Sequence, residues 1–148
     1  MALKVSTGLR NYLLDTGSLK ASLAAGFIKI YSGTVPSSAD DAIAGGNTLL
    51  CTISSNGTGT GINFDTSAAS GIIAKASGET WKGTNAASGT ATFYRHVSAS
   101  DTGALSTTER RLQGAIATAG SDMNFSSVAL TSGAEQKIDY YVVTLPTL

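Results

Sequence analysis

From Gly26 onward, short runs of β-forming residues are cut again and again by clusters of Gly, Asn, Asp and Ser. That punctuation leaves little room for helices and constrains the chain to many short strands joined by tight turns. Strands are predicted at 27–32, with Ile28 and Ile30 on one face, and at 48–54, where Leu49, Cys51 and Ile53 alternate. Others fall at 71–77 (Ile72, Ala74, Ala76 in phase), 80–82 around Trp81, 89–97 (Ala91, Phe93, Val97), 111–118 (Leu112, Ile116) and 123–130, the last broken at Ser126-Ser127. A fragment lies at 62–64. The run 137–145 carries Ile138, Tyr140, Val142 and Val143 on both faces, the pattern of a central strand. Segments 35–46 and 54–61 read as long loops.

Composition sharpens the fold class. Ala (21), Ser (19), Thr (19) and Gly (17) make up more than half of the 148 residues. Large aliphatic side chains are correspondingly sparse, so the core should be thin and layered. The expectation is an all-β protein: a β-sandwich, with the jelly roll as one form of it, carrying a short N-terminal helical segment. Residues 1–25 form that segment, and 26–148 the sandwich domain. In the N-terminal segment Leu3, Leu9, Leu13, Leu14, Leu19 and Leu23 recur at gaps that include helical spacings. Ser6 or Thr7 is placed to cap a first helix ending before Gly17, and Ser18 a second over 19–25, closed by Gly26 in a left-handed position. The apolar stripe must cover something, either its own sheet or a neighbouring subunit.

Chemistry-bearing residues are few. Ten basic and ten acidic residues cancel, so no long-range field gathers nucleic acid or an anionic membrane, and Arg110-Arg111 is the best basic patch. No apolar stretch approaches a bilayer span, and Lys4 and Arg10 interrupt any secretory pattern. Cys51, the single cysteine, excludes an internal disulfide and reads as a buried small hydrophobe. Asp40-Asp41 lacks the spacing of a calcium loop and reads as solvated charge. The single histidine, His96, has no second His or Cys for zinc and reads as a surface residue rather than a catalytic base. The glycine-rich run 57–61 has neither the lysine nor the following helix of a phosphate cradle, and reads as a flexible loop. Trp81 has three readings: core anchor, interface anchor, or sugar platform. These residues give no enzyme, no metal and no cofactor.

Residues 1–14 (MALKVSTGLRNYLL), 28–42 (IKIYSGTVPSSADDA), 74–81 (AKASGETW), 89–95 (GTATFYR) and 138–146 (IDYYVVTLP) together resemble a group of small virion proteins of tailed bacteriophages. The resemblance spans most of the chain and implies a structural component of the particle, made in the host cytoplasm. It brings no catalytic or ligand residues with it. The leading expectation is a capsid decoration or cement protein that binds the major capsid shell, with homo-oligomers on the particle. A tail, collar or baseplate component is the second expectation. A glycan- or receptor-binding module, contacting its ligand through Trp81, Tyr94 and His96, is the third. Candidate interface residues are Leu3, Leu9, Leu13, Leu14, Trp81 and Tyr94.

Overall fold

A computed structural model of the chain describes residues 3–145 and 147. It is an all-β protein, 38% strand and 9% helix. The strands are β1 (Lys4–Val5), β2 (Phe27–Ser32), β3 (Thr48–Ser55), β4 (Ile72–Ala74), β5 (Trp81–Thr84), β6 (Gly89–Thr90), β7 (Phe93–Val97), β8 (Arg111–Ala117), β9 (Met123–Asn124), β10 (Ala129–Leu130), β11 (Glu135–Ile138) and β12 (Val142–Thr144). The main sheet runs β1-β8-β7-β2-β3-β5-β11 in antiparallel order. Strand β9 adds to it as a parallel partner of the far half of β8, Ile116 facing Met123. Two separate pairs, β6–β10 and β4–β12, complete the described sheets.

Period-two alternation divides the main sheet into two unlike faces. One face carries Ile28, Ile30, Cys51, Ile53, Tyr94, His96 and Leu112, and packs with Phe64, Trp81, Ile138 and Tyr141 into the core. The β4–β12 pair contributes Ile73 and Val143 to the same core. The opposite face carries Lys29, Tyr31, Phe93, Arg95, Arg111 and Gln113. It is covered by irregular chain from 36–41 and 101–104, so both faces of β7 are buried.

Two helices lie between β1 and β2, α1 (Thr7–Asp15) and α2 (Leu19–Ser22). The capping residues are Ser6, which accepts from the Leu9 amide, and Ser18, which accepts from the Ala21 amide. The second helix is shorter than the expected 19–25. Its left-handed residue is Ala25 (φ 54°), while Gly26 begins the sheet by bridging Ile62. Residues 7–25 are anchored on the sheet, because Leu9 and Leu23 lie fully buried in the common core.

The sequence placed the central strand at 137–145. Instead the chain leaves β5 after Ile138, passes through exposed Asp139 and Tyr140, and rejoins a different partner, β4, at Val142. Strand β11 is a sheet edge, and the central positions belong to β2 and β7. In strand β4 Ile72 and Ala74 share one face, as the alternation reads, and it is Ile73 between them that turns into the core while Ile72 stays exposed. The 54–61 segment is an ordered turn: Ser55 N donates to Thr60 O, and Asn56 (φ 55°), Gly57 (φ 71°) and Gly59 (φ 82°) supply its left-handed positions.

Candidate functional site

The polar face explains several charged residues that sequence patterning left on the surface. Arg111 is fully buried, with its guanidinium 2.5 Å from the equally buried Asp101 carboxylate. Its remaining donors reach backbone carbonyls of the covering loops: Ala39, Asp40 and Asp41 on one side, Ala104 on the other. Arg95 donates Nε to Gln113 and Nη2 to the Ser38 carbonyl, while Gln113 and Lys4 both donate to the Pro36 carbonyl. Irregular backbone has no ladder partners of its own, so these side chains supply the donors that let a loop lie buried. Burial and the neighbouring Arg111 charge pull the Arg95 guanidinium below its ordinary value, and its Nη1 has no partner. Arg110-Arg111 is therefore no basic patch.

Asp40-Asp41 is likewise structural rather than merely solvated. Asp40 accepts from the backbone and hydroxyl of Thr7, tying α1 to the loop. Asp41 is held below the usual carboxylate range by hydrogen bonds from the Ser37 hydroxyl and the Ser38 amide. Ser6 completes the corner: its hydroxyl donates to Glu109 O and accepts from Arg111 N. A Cβ on Gly8 would stand 2.2 Å from Thr108 O, so only glycine lets α1 approach this closely. A shallow groove of about 480 Å³ lies beside the contact, with the Arg110 guanidinium 4.9 Å above the Tyr12 ring.

The aromatic face corrects three of the expected contact residues. Trp81 and Tyr94 are core residues, and His96 is buried rather than on the surface. The His96 ring lies 5.4 Å from Phe64, 6.0 Å from Trp81 and 5.6 Å from Tyr141 between centroids. Strand alternation put it there: its β neighbours are Ile28 and Leu112, on the apolar face. Burial drives its pKa down to about 3, so the ring is neutral. The Trp81 indole donates to Glu79. Burial would raise the Glu79 carboxyl, but hydrogen bonds from Asn63 and Trp81 outweigh it and hold the group below its ordinary value. Burial alone raises the Cys51 thiol to about 11, as fits an inert core cysteine.

Of the six expected interface residues, Leu9, Trp81 and Tyr94 belong to the core. Leu3 (37% exposed), Leu13 (39%) and Leu14 (84%) remain available. Sequence reading missed Tyr140, which is 80% exposed on the rim of a second cleft, lined by 122–126 and 136–142 and about 570 Å³ in volume. Alternation had placed Tyr140 inside a continuous strand. Among the described residues no three His, Cys, Asp or Glu side chains converge as metal ligands, and no helix is long and apolar enough to cross a membrane. Comparison with protein-family models, with curated proteins and with solved structures returns no significant match.

Proposed function

We propose that this chain is a non-enzymatic structural protein of a bacteriophage virion, and most specifically a capsid decoration protein bound to the major capsid shell. The observation that carries the reading is the contrast along α1. Leu9 is fully buried and fixes the helix on the sheet, while Leu13 and Leu14 on the same short helix face outward. A capped, anchored helix that presents large apolar side chains is a contact element rather than a loose arm. Burying one such leucine against a partner is worth about 1.5–3 kcal/mol, and a repeating lattice multiplies weak contacts. The virion itself enters only through the sequence resemblance.

Removing residues 1–25 would also take Leu9 and Leu23 out of the core, so the test targets exposed side chains instead. The double substitution Leu13→Asp and Leu14→Asp leaves those two in place. It is expected to abolish occupancy on purified shells, counted by cryo-EM, while the isolated protein keeps its melting temperature within a few degrees. Full occupancy by the folded variant would sink the decoration reading. Density confined to the neck or tail would move the chain to a tail, collar or baseplate role. The glycan-module reading loses its three proposed contacts, all of which are buried.

A further inference from the structure

Strand β9, which extends the β8 side of the main sheet beyond β1, and β11, the edge strand beside β5, both line the same 570 Å³ cleft. From this we infer that the cleft is a strand-accepting slot, which takes one extended segment of a partner protein between the two edges. The inference stands independently of the virion reading.

The backbone geometry supplies the first argument. Phe125 N donates to Ala117 O, so the groups of 123 and 125 turn toward β8 and those of Asn124 turn away from it. On the other wall Asn85 N donates to Ala134 O, which sets the alternation of the β5–β11 ladder. Gln136 and Ile138 then bond to β5, and the N–H and C=O of Lys137 point outward. The Lys137 carbonyl takes only a 3.3 Å contact from the Gln136 side chain. Each wall thus offers an outward donor and acceptor, the pairing surface that strand addition uses. A single extended chain is the occupant whose two sides can pair with both walls at once.

Side chains supply the second argument. The floor is apolar: Met123, Phe125, Ile138 and Tyr141 all belong to the core cluster. The charged lining is Asp122, Lys137 and Asp139, two carboxylates against one ammonium, and Lys137 is already paired with Asp139 at 2.6 Å. The complementary segment therefore places apolar side chains downward at alternate positions and carries a lysine or arginine to meet the acidic rim.

The test uses the whole protein, immobilised, to select from a random heptapeptide display library, followed by titration of the consensus peptide into ¹⁵N-labelled protein. The expected consensus alternates apolar residues and includes a basic one. Amide shifts and slowed hydrogen exchange should appear on both walls, at Asn124 and Lys137. N-methylation of alternate peptide nitrogens should weaken binding roughly tenfold or more, since it removes only backbone donors. Lys137→Pro should weaken binding comparably while the protein stays folded, because the lost N–H is the outward one. Failure to obtain a consensus, shifts that miss either wall, or affinity indifferent to N-methylation would each overturn the proposal. The N-methylated peptide needs no variant to fold.

Discussion

His96 makes the stability of this protein depend on pH already between 6.5 and 5, above the range where ordinary carboxylates titrate. Its Nε2 has no hydrogen-bond partner, and its Nδ1 stands 3.3 Å from the Tyr141 hydroxyl. The groups packed around it are Phe64, Trp81 and Tyr141, with Ile28 and Leu112 beside it on the neighbouring strands. No carboxylate among them rewards a proton. Tyr141 stays a neutral phenol, its pKa raised well above normal by burial first and the Tyr94 hydroxyl second. The folded protein therefore keeps the imidazole neutral down to about pH 3, whereas the unfolded chain protonates it near 6.5. Unfolding takes up a proton throughout that window, so stability is full above pH 6.5 and falls as the pH drops toward 3. At pH 5 the loss relative to neutral pH is ~1.5 pKa units, or ~2 kcal/mol. That is a large part of the stability of a domain this size.

Urea unfolding at pH 7.5 and pH 5.0 measures the difference directly. His96→Phe keeps an aromatic ring in the cluster and removes both the titration and the orphaned nitrogen. Its stability at pH 7.5 should lie within about 1.5 kcal/mol of the wild type, and its own drop at pH 5.0 should be close to nil. Glu79 and Asp41, both held below their ordinary values, add acid sensitivity of the same sign at lower pH, which is why the comparison stops at 5.0. An equal drop in the phenylalanine variant, or a flat wild-type profile, would refute the account of His96.

Two further outcomes follow from the buried polar groups and the core. Asp101→Ala strands the Arg111 guanidinium in a dry site and should cost about 3–5 kcal/mol in urea unfolding. Asp101→Ala combined with Arg111→Met should recover only part of that loss, since the stranded Arg111 charge is gone but the loop carbonyls it served lose their donor. Cys51 should not react with Ellman's reagent at pH 8 in the folded protein, because burial both shields the thiol and raises its pKa to about 11. Full reaction should appear on denaturation, and rapid labelling of the native protein would contradict the core assignment.

Most of the scaffold was legible because its signals are local. The capping serines Ser6 and Ser18 lie where helix-start chemistry puts them, and alternation in 27–32 and 111–118 marked real strands almost to the residue. The glycine-rich stretch at 54–61 reads from sequence as a long flexible loop, whereas it is the end of β3 followed by an ordered turn. What failed is what local patterning cannot carry. The run 137–145 is uniformly β-forming, yet it exchanges one partner for another at Asp139-Tyr140, a decision made by β4 and β5 from far along the chain.

The polar face failed for a different reason, and it bears directly on function. Sequence logic counts a charged residue in a strand as outward, because an unpaired buried charge is costly. Here the cost is offset collectively: Arg111 needs Asp101, the loop carbonyls need Arg111 and Arg95, and Asp40 needs Thr7. Asp101 lies ten residues from Arg111, but the loop carbonyls and Thr7 lie 33 to 72 residues from their partners, so no short window of residues reveals the whole network. The same network ties the loop at 36–41 and helix α1 to the sheet. With α1 held in this position, Leu13 and Leu14 stay exposed rather than joining the core. The α1 segment has one inward leucine at Leu9, the corner is already filled by Ser6, Thr7 and Gly8 against 108–111, and the next turn of helix is left to whatever the protein meets.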